Sequence, residues 1–265
     1  MRNIAKSGMK ALLNLLFVVL VSSFVFSSCK TKEQDNPSWT SHVWEKSQPV
    51  YKEIISLPFI AELAYGTLPA DKFIRYLEQD EIYCRVFDRQ LLQFAESLPD
   101  PEERAFFMAF AQASIDTEDA MHQLLIEQYG IDTAAMPSRI TLEYNAHTQE
   151  ALDAGVKEIT LAAMLPCLWL YNCVGYDILH NANLEGNPYK EWIMAYGDEE
   201  YTAGMNRVLE IIDKWAETVD DDVLSKMDEV FIEAAWFEYA FWDYGYTGDD
   251  NTAITKLTTD NRLYK

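Results

Sequence analysis

The chain has 265 residues, with 21 Lys+Arg against 43 Asp+Glu and a formal net charge of −22. Such an acidic chain is a poor partner for nucleic acid, where affinity comes mainly from Lys and Arg on phosphates, or for an anionic lipid surface. Hydrophobic residues at 49% and aromatics at 13% exclude a disordered acidic protein, and only 10 Gly and 9 Pro favour long helices over many short strands.

Residues 1–28 carry Arg2, Lys6 and Lys10, then an apolar run near Ala11–Val21, then small residues. This is the pattern of an export signal, and the run is shorter than the ~20 residues of a spanning helix. Ser27 and Ser28 precede Cys29, which resembles a bacterial lipobox with Phe26 where Leu is usual. Cys29 is therefore the expected lipidation site of an exported lipoprotein on the periplasmic or cell-envelope side, touching the membrane only through its lipid anchor. Residues 29–39 are expected to be a tether, 40–248 the folded body and 249–265 a C-terminal tail. A chain beginning at Cys29 would carry a formal charge of −25.

The body predicts helices. Pro58–Gly66 is a short one stopped by glycine. Thr67-Leu-Pro69 opens a longer one to about Ser97, with Phe73, Tyr76, Leu77, Tyr83, Phe87, Leu91 and Phe94 at three- and four-residue steps. Asp100-Pro101 with Glu103 opens a helix to Gln128, stopped at Gly130. Pro137 opens the next, to Ala154, with Gly155 as its stop. Val156–Asn183 follows with Pro166 inside it, then Pro188–Tyr196, Glu199–Val219 and Asp222–Tyr246. With no alternating apolar run and no internal repeat, the fold class is all-α, a single multi-helix bundle.

Three segments carry candidate chemistry. Asp80 and Tyr83 share a helix face with Tyr76 and Phe87, so Asp80 is either solvated at the stripe's edge or buried with a partner. Cys167 follows Pro166, with Tyr171 one turn beyond; a proline within a helix removes a backbone hydrogen bond and bends the chain. The cysteine is either a packing residue or a nucleophile. Glu238 lies among five aromatics in Trp236–Trp242; it either reaches water or sits dry with the raised pKa of a general acid/base.

Asp119-x-x-His122 and Asp177-x-x-His180 have i,i+3 ligand spacing, but di-metal bundles use Glu-x-x-His. Capping or core hydrogen bonding is the better reading of His122, His147 and His180, and no metal is assigned. Cys84, Cys167 and Cys173 are an odd number, so at least one thiol is free or pairs with another chain. No phosphate loop or nucleophile elbow occurs. An aromatic pocket with few polar groups suits a flat, uncharged or weakly cationic heterocycle.

The body resembles the TenA family, also called thiaminase II or aminopyrimidine aminohydrolase. The matching segments are Phe59–Pro69, Phe73–Asp80 with Tyr83, Tyr144, Leu165–Tyr171, Tyr189–Tyr196 and Glu238–Trp242, in the family's order and spacing. The resemblance implies a haem-oxygenase-like helical bundle without haem, usually a homotetramer. It implies Cys167 as nucleophile and Glu238 as general acid/base. Asp80 would hold the aminopyrimidine edge and help poise the thiol. Tyr144 and Tyr196 would hydrogen-bond near substrate and cysteine, and Tyr83 and Tyr171 would stack on or line the ring.

The implied reaction replaces a leaving group on the exocyclic methylene of a 4-amino-2-methylpyrimidine by hydroxyl, in thiamin salvage or degradation. Aminomethylpyrimidine or thiamin is the implied small-molecule partner, and no cofactor is needed. The alternatives are a non-catalytic pyrimidine- or thiamin-binding lipoprotein and a di-metal oxidase using the Asp-x-x-His pairs.

Overall fold

The computed structural model describes residues 37–250 except 133, and these residues contain helices and no strand. The expected signal segment, the Cys29 lipidation site and most of the expected tail lie outside the described residues. In chain order the helices are α1 (Trp39–Ile55), α2 (Pro58–Ala64), α3 (Ala70–Ser97), α4 (Pro101–Tyr129), α5 (Arg139–Ala154) and α6 (Lys157–Leu165). A π-helical turn, Pro166–Leu170, then leads into α7 (Tyr171–Asn181). After it come α8 (Lys190–Met194), a 3-10 turn (Ala195–Gly197), α9 (Glu199–Ala216) and α10 (Asp221–Thr247).

Local sequence sets most of these ends. The Asp100 side chain accepts from the backbone N–H of Glu102 and Glu103 at 2.8 and 2.9 Å, with Pro101 in the first turn. Gly130 and Gly155 end α4 and α5 in the left-handed region, φ 66° and 72°, which costs glycine nothing sterically. Asp198 and Asp220 cap α9 and α10 in the same way as Asp100.

The sequence reading leaves residues 40–57 without an element, yet α1 fills them. Trp39, Val43, Ser47, Val50 and Ile54 form its buried stripe. Pro49 sits inside α1 on the exposed face, where water can bond the carbonyl that its missing N–H leaves open. The tether expected over 29–39 must therefore end earlier. Ser38 caps α1, and Trp39 is buried with its indole N–H donating to Asp228 at 2.9 Å. At the other end, Asp250 accepts from the backbone N–H groups of Arg139 and Ile140 at 3.0 and 3.4 Å, so the expected tail begins by anchoring the start of α5.

The single expected helix over 156–183 is divided. Pro166 opens the π turn, and the Tyr171 N–H bonds back to the Pro166 carbonyl, five residues away. The Tyr201 hydroxyl donates to the Leu168 carbonyl at 2.9 Å. Lys157–Asn181 is apolar and long enough to cross a membrane, but 78% of its most apolar window is buried inside the protein, as a core helix should be.

Helix α10 is the hub. Residues 234–243 are buried without interruption, and α10 packs on α1, α2, α3, α5, α6 and the π turn. Each neighbour thus presents one face to the same aromatic helix, and that is what brings distant reactive residues together.

Candidate active site

Cys167, Glu238, Asp80, Tyr83, Tyr144, Tyr171 and Tyr196 all line one cavity. They come from the π turn, α10, α3, α5, α7 and the 3-10 turn. Cys167 and Glu238, 71 positions apart in the chain, therefore face a shared space. The inner wall is aromatic, with Tyr76, Phe87, Trp192 and Phe241 added to the expected tyrosines. The lining also includes polar side chains: Ser114, Thr117 and Glu118 of α4, Asn172 of α7, Asp198 at the N-cap of α9 and Tyr201 within α9.

Glu238 is 5% exposed and accepts from the Tyr144 hydroxyl at 2.8 Å. Burial pushes its carboxyl up to about 8; the Tyr144 bond pulls the other way, and nearby Asp80 adds to the rise. A carboxyl in that range can both give and take a proton near neutrality.

Cys167 is a free thiol of intermediate exposure between buried Pro166 and Leu168. Burial and the Glu238 charge push it well above the usual thiol range, while the Tyr83 hydroxyl draws it down. This hydroxyl is buried without a hydrogen bond of standard geometry and faces the sulfur.

The four expected tyrosines hold distinct places in the cavity wall. Tyr144 bonds Glu238, and Tyr83, expected to line or stack on the ring, is the tyrosine at the thiol. Tyr171 is tied by its hydroxyl to Tyr76 at 2.6 Å and lies flat on Trp242 at 5.5 Å. The Tyr196 ring stands 5.6 Å from Tyr171 and 4.9 Å from Trp192. It lies across Gly175 of α7, where a Cβ would fall 1.9 Å from a ring carbon.

Asp80, 9% exposed, is buried with partners. His122 of α4 meets its Oδ2 through Nε2 at 3.2 Å, and His122 Nδ1 meets Glu81, which is paired with Arg85. Burial alone would lower the imidazole pKa, but Asp80, Glu118 and Glu81 outweigh it and raise it to about 9. The Asp119-x-x-His122 spacing flagged this histidine, yet its partner comes from another helix.

The Cys84 thiol donates to Glu118 Oε1 at 3.2 Å. Burial and Asp80 raise Glu118 to about 7, against the pull of His122. Asp80, Cys84 and Glu118 hold their ligand atoms within 4.8 Å of one another, the one metal-capable group among the described residues. Neither Asp-x-x-His pair forms such a group. Asp177 accepts from Tyr51 at 2.6 Å, and exposed His180 bonds the Tyr176 carbonyl. His147 is a core histidine bonded to the Val230 carbonyl.

The model of the TENA/THI-4/PQQC family matches residues 44–248. The aminopyrimidine aminohydrolase of Bacillus subtilis (strain 168) is 31% identical over 207 residues, covering 76% of this chain and 87% of that protein. That of Halalkalibacterium halodurans is 24% identical over 214 residues, covering 79% and 96%. Among solved structures, a TenA homologue from P. horikoshii OT3 superposes with a TM-score of 0.71 at 25% identity, over 80% of this chain and all of that one. A TenA homologue from Pyrococcus furiosus gives 0.74 at 20% identity, over 78% of this chain and all of that one. The helical bundle is thus the haem-oxygenase-like fold of the TenA homologues.

Proposed function

The chain belongs to the TENA/THI-4/PQQC family, and on that footing we propose that it is an aminopyrimidine aminohydrolase of the thiaminase II type. It replaces the leaving group on the exocyclic methylene of a 4-amino-2-methylpyrimidine by hydroxyl. The observation that carries this reading is the shared cavity, with a free Cys167 thiol, a Glu238 carboxyl raised to about 8 and an aromatic wall.

The chemistry follows from those groups. Asp80, braced by His122, accepts from the exocyclic amine of the ring and sets its orientation. The Cys167 sulfur adds to the electron-poor ring carbon beside the substituted methylene. The thiol proton goes to the ring nitrogen, with Glu238 as carrier: it gives its proton to the nitrogen and takes up the one from sulfur. Glu238 then protonates the departing amine and takes the ring nitrogen's proton in exchange, so that the nitrogen's electron pair expels the amine in neutral form; the thiazolium of thiamin takes the bonding pair and leaves as neutral thiazole without a proton from Glu238. Water then adds to the methylene and its proton returns to the ring nitrogen through Glu238; the thiolate departs as the ring becomes aromatic again and takes up that proton by the same carrier. The neutral resting thiol suits this order, because its proton is used in the addition itself.

Incubation of the purified protein with aminomethylpyrimidine and with thiamin, products identified by mass, tests the reading. The hydroxymethylpyrimidine is expected from the unaltered chain, and its loss is expected in Cys167→Ser and Glu238→Gln. Tight binding without turnover, insensitive to Cys167→Ala, would mean a non-catalytic binding protein instead.

We also propose that the enzyme is exported and held by a lipid on Cys29, and that it assembles as a homotetramer. Mass spectrometry of the mature N-terminus and light scattering test these two points.

A further inference from the structure

A second free thiol opens into the cavity, and the reaction proposed for Cys167 does not use it. Cys84 stands one turn after Asp80 on α3 and is buried. Its Sγ lies 3.2 Å from Oε1 of Glu118 on α4 and 4.0 Å from Oδ1 of Asp80. The three ligand atoms fall within 4.8 Å of one another, and all three side chains line the cavity. No Lys or Arg lines it, so no fixed cation there competes for the carboxylates.

A buried thiol between two carboxylates is a mixed soft and hard donor set, which suits zinc rather than calcium or magnesium. The spacing suits it as well. With Zn–S of about 2.3 Å and Zn–O of about 2.0 Å, sulfur and oxygen stand about 3.5 Å apart in a tetrahedral site. The separations from Cys84 Sγ, 3.2 and 4.0 Å, straddle that edge. An outer shell is also in place. Asp80 turns Oδ1 toward the sulfur, while its Oδ2 is held by His122 Nε2 at 3.2 Å, and His122 Nδ1 is held in turn by Glu81. Ligating carboxylates are oriented by outer hydrogen bonds of this kind.

We propose that Asp80, Cys84 and Glu118 form a zinc site whose occupation turns the enzyme off. Three protein ligands leave a fourth position for water. The S–Zn bond forms as the Cys84 proton passes to water, and the half-buried Glu118 side chain turns to close the gap between the two carboxylates. With one Asp80 oxygen on zinc and the other on His122, neither is left for the exocyclic amine of the ring. Zinc and substrate therefore exclude each other. The inhibition rests on the aminohydrolase reading above; the metal site does not.

Among the described residues the free thiols are Cys84 and Cys167, so Cys167→Ser isolates Cys84. Titrated with Co2+, this variant should show a sulfur-to-cobalt charge-transfer band that Zn2+ abolishes. The band should vanish when Cys84→Ser is added. Glu118→Gln in the same Cys167→Ser protein keeps the thiol and should weaken Co2+ binding at least about tenfold, a loss no smaller than that of an outer partner. Absence of the band in Cys167→Ser, its survival in Cys84→Ser, or unchanged affinity in Glu118→Gln overturns the site. In the unaltered protein Zn2+ should inhibit turnover of aminomethylpyrimidine competitively, and a chelator should restore it. Cys84→Ser should raise the Zn2+ inhibition constant at least about tenfold. Equal inhibition of the two proteins would put the inhibiting zinc on Cys167 and overturn the proposal. If the unaltered protein turns over neither aminomethylpyrimidine nor thiamin, the aminohydrolase reading and the inhibition fail together, and the cobalt spectra still decide the site.

Discussion

Tyr144 of α5 donates its hydroxyl to Oε1 of Glu238 on α10 over 2.8 Å, and both groups are buried. The bond favours the charged carboxylate and so holds the Glu238 pKa below the level that burial alone would give it. Tyr144→Phe removes that restraint. The limb of the pH–rate profile governed by Glu238 should move to higher pH by up to about one unit. Profiles of kcat/KM for the two proteins test this, and an unmoved limb would detach Tyr144 from the acid/base step.

Raised pKa values also make stability depend on pH. Glu238 titrates at about 8, Glu118 at about 7 and His122 at about 9, each above its ordinary value of 4.5, 4.5 and 6.5. The folded state thus binds these protons more tightly than the unfolded state. Their stabilising contribution is complete below the ordinary values and is lost as pH rises through the folded ones. The melting temperature should therefore fall between pH 6.5 and 9, by at least about 3 °C. Glu238→Gln should flatten the part of that fall below about pH 8. A melting temperature that rises across the window contradicts the assignment.

Gly175→Ala places a methyl 1.9 Å from the Tyr196 ring. The ring or α7 must move, at a cost of about 1–3 kcal/mol, and turnover should fall with the displaced wall. In a double-mutant cycle, Gly175→Ala should cost little once Tyr196→Ala has removed the ring. Additive melting shifts would show that the two residues do not interact.

Asp250→Ala removes the acceptor for the Arg139 and Ile140 N–H groups at the start of α5. A loss of about 1 kcal/mol in denaturant unfolding is expected, as for a helix cap, with kcat unchanged because Asp250 is absent from the cavity lining. No change in stability would return this residue to a free tail.

Much of the helix pattern was legible because its causes are local. Asp100-Pro101, Gly130 and Gly155 mark helix ends by backbone chemistry that needs no partner. The stripe from Phe73 to Phe94 announced its buried face. α1 was equally available through the spacing of Trp39, Val43, Val50 and Ile54.

Single helix faces could likewise be read: Asp80 with Tyr83, Cys167 with Tyr171, and Glu238 among aromatics. Residue spacing alone does not bring one helix to another, however. The bracing of Asp80 by His122, the tie of Tyr144 to Glu238 and the turn of Tyr83 toward sulfur join side chains from different helices. Local backbone preference determined where the helices begin and end. Packing around α10 decided which of their reactive groups meet, because contacts between distant segments exist only once the chain has closed on itself.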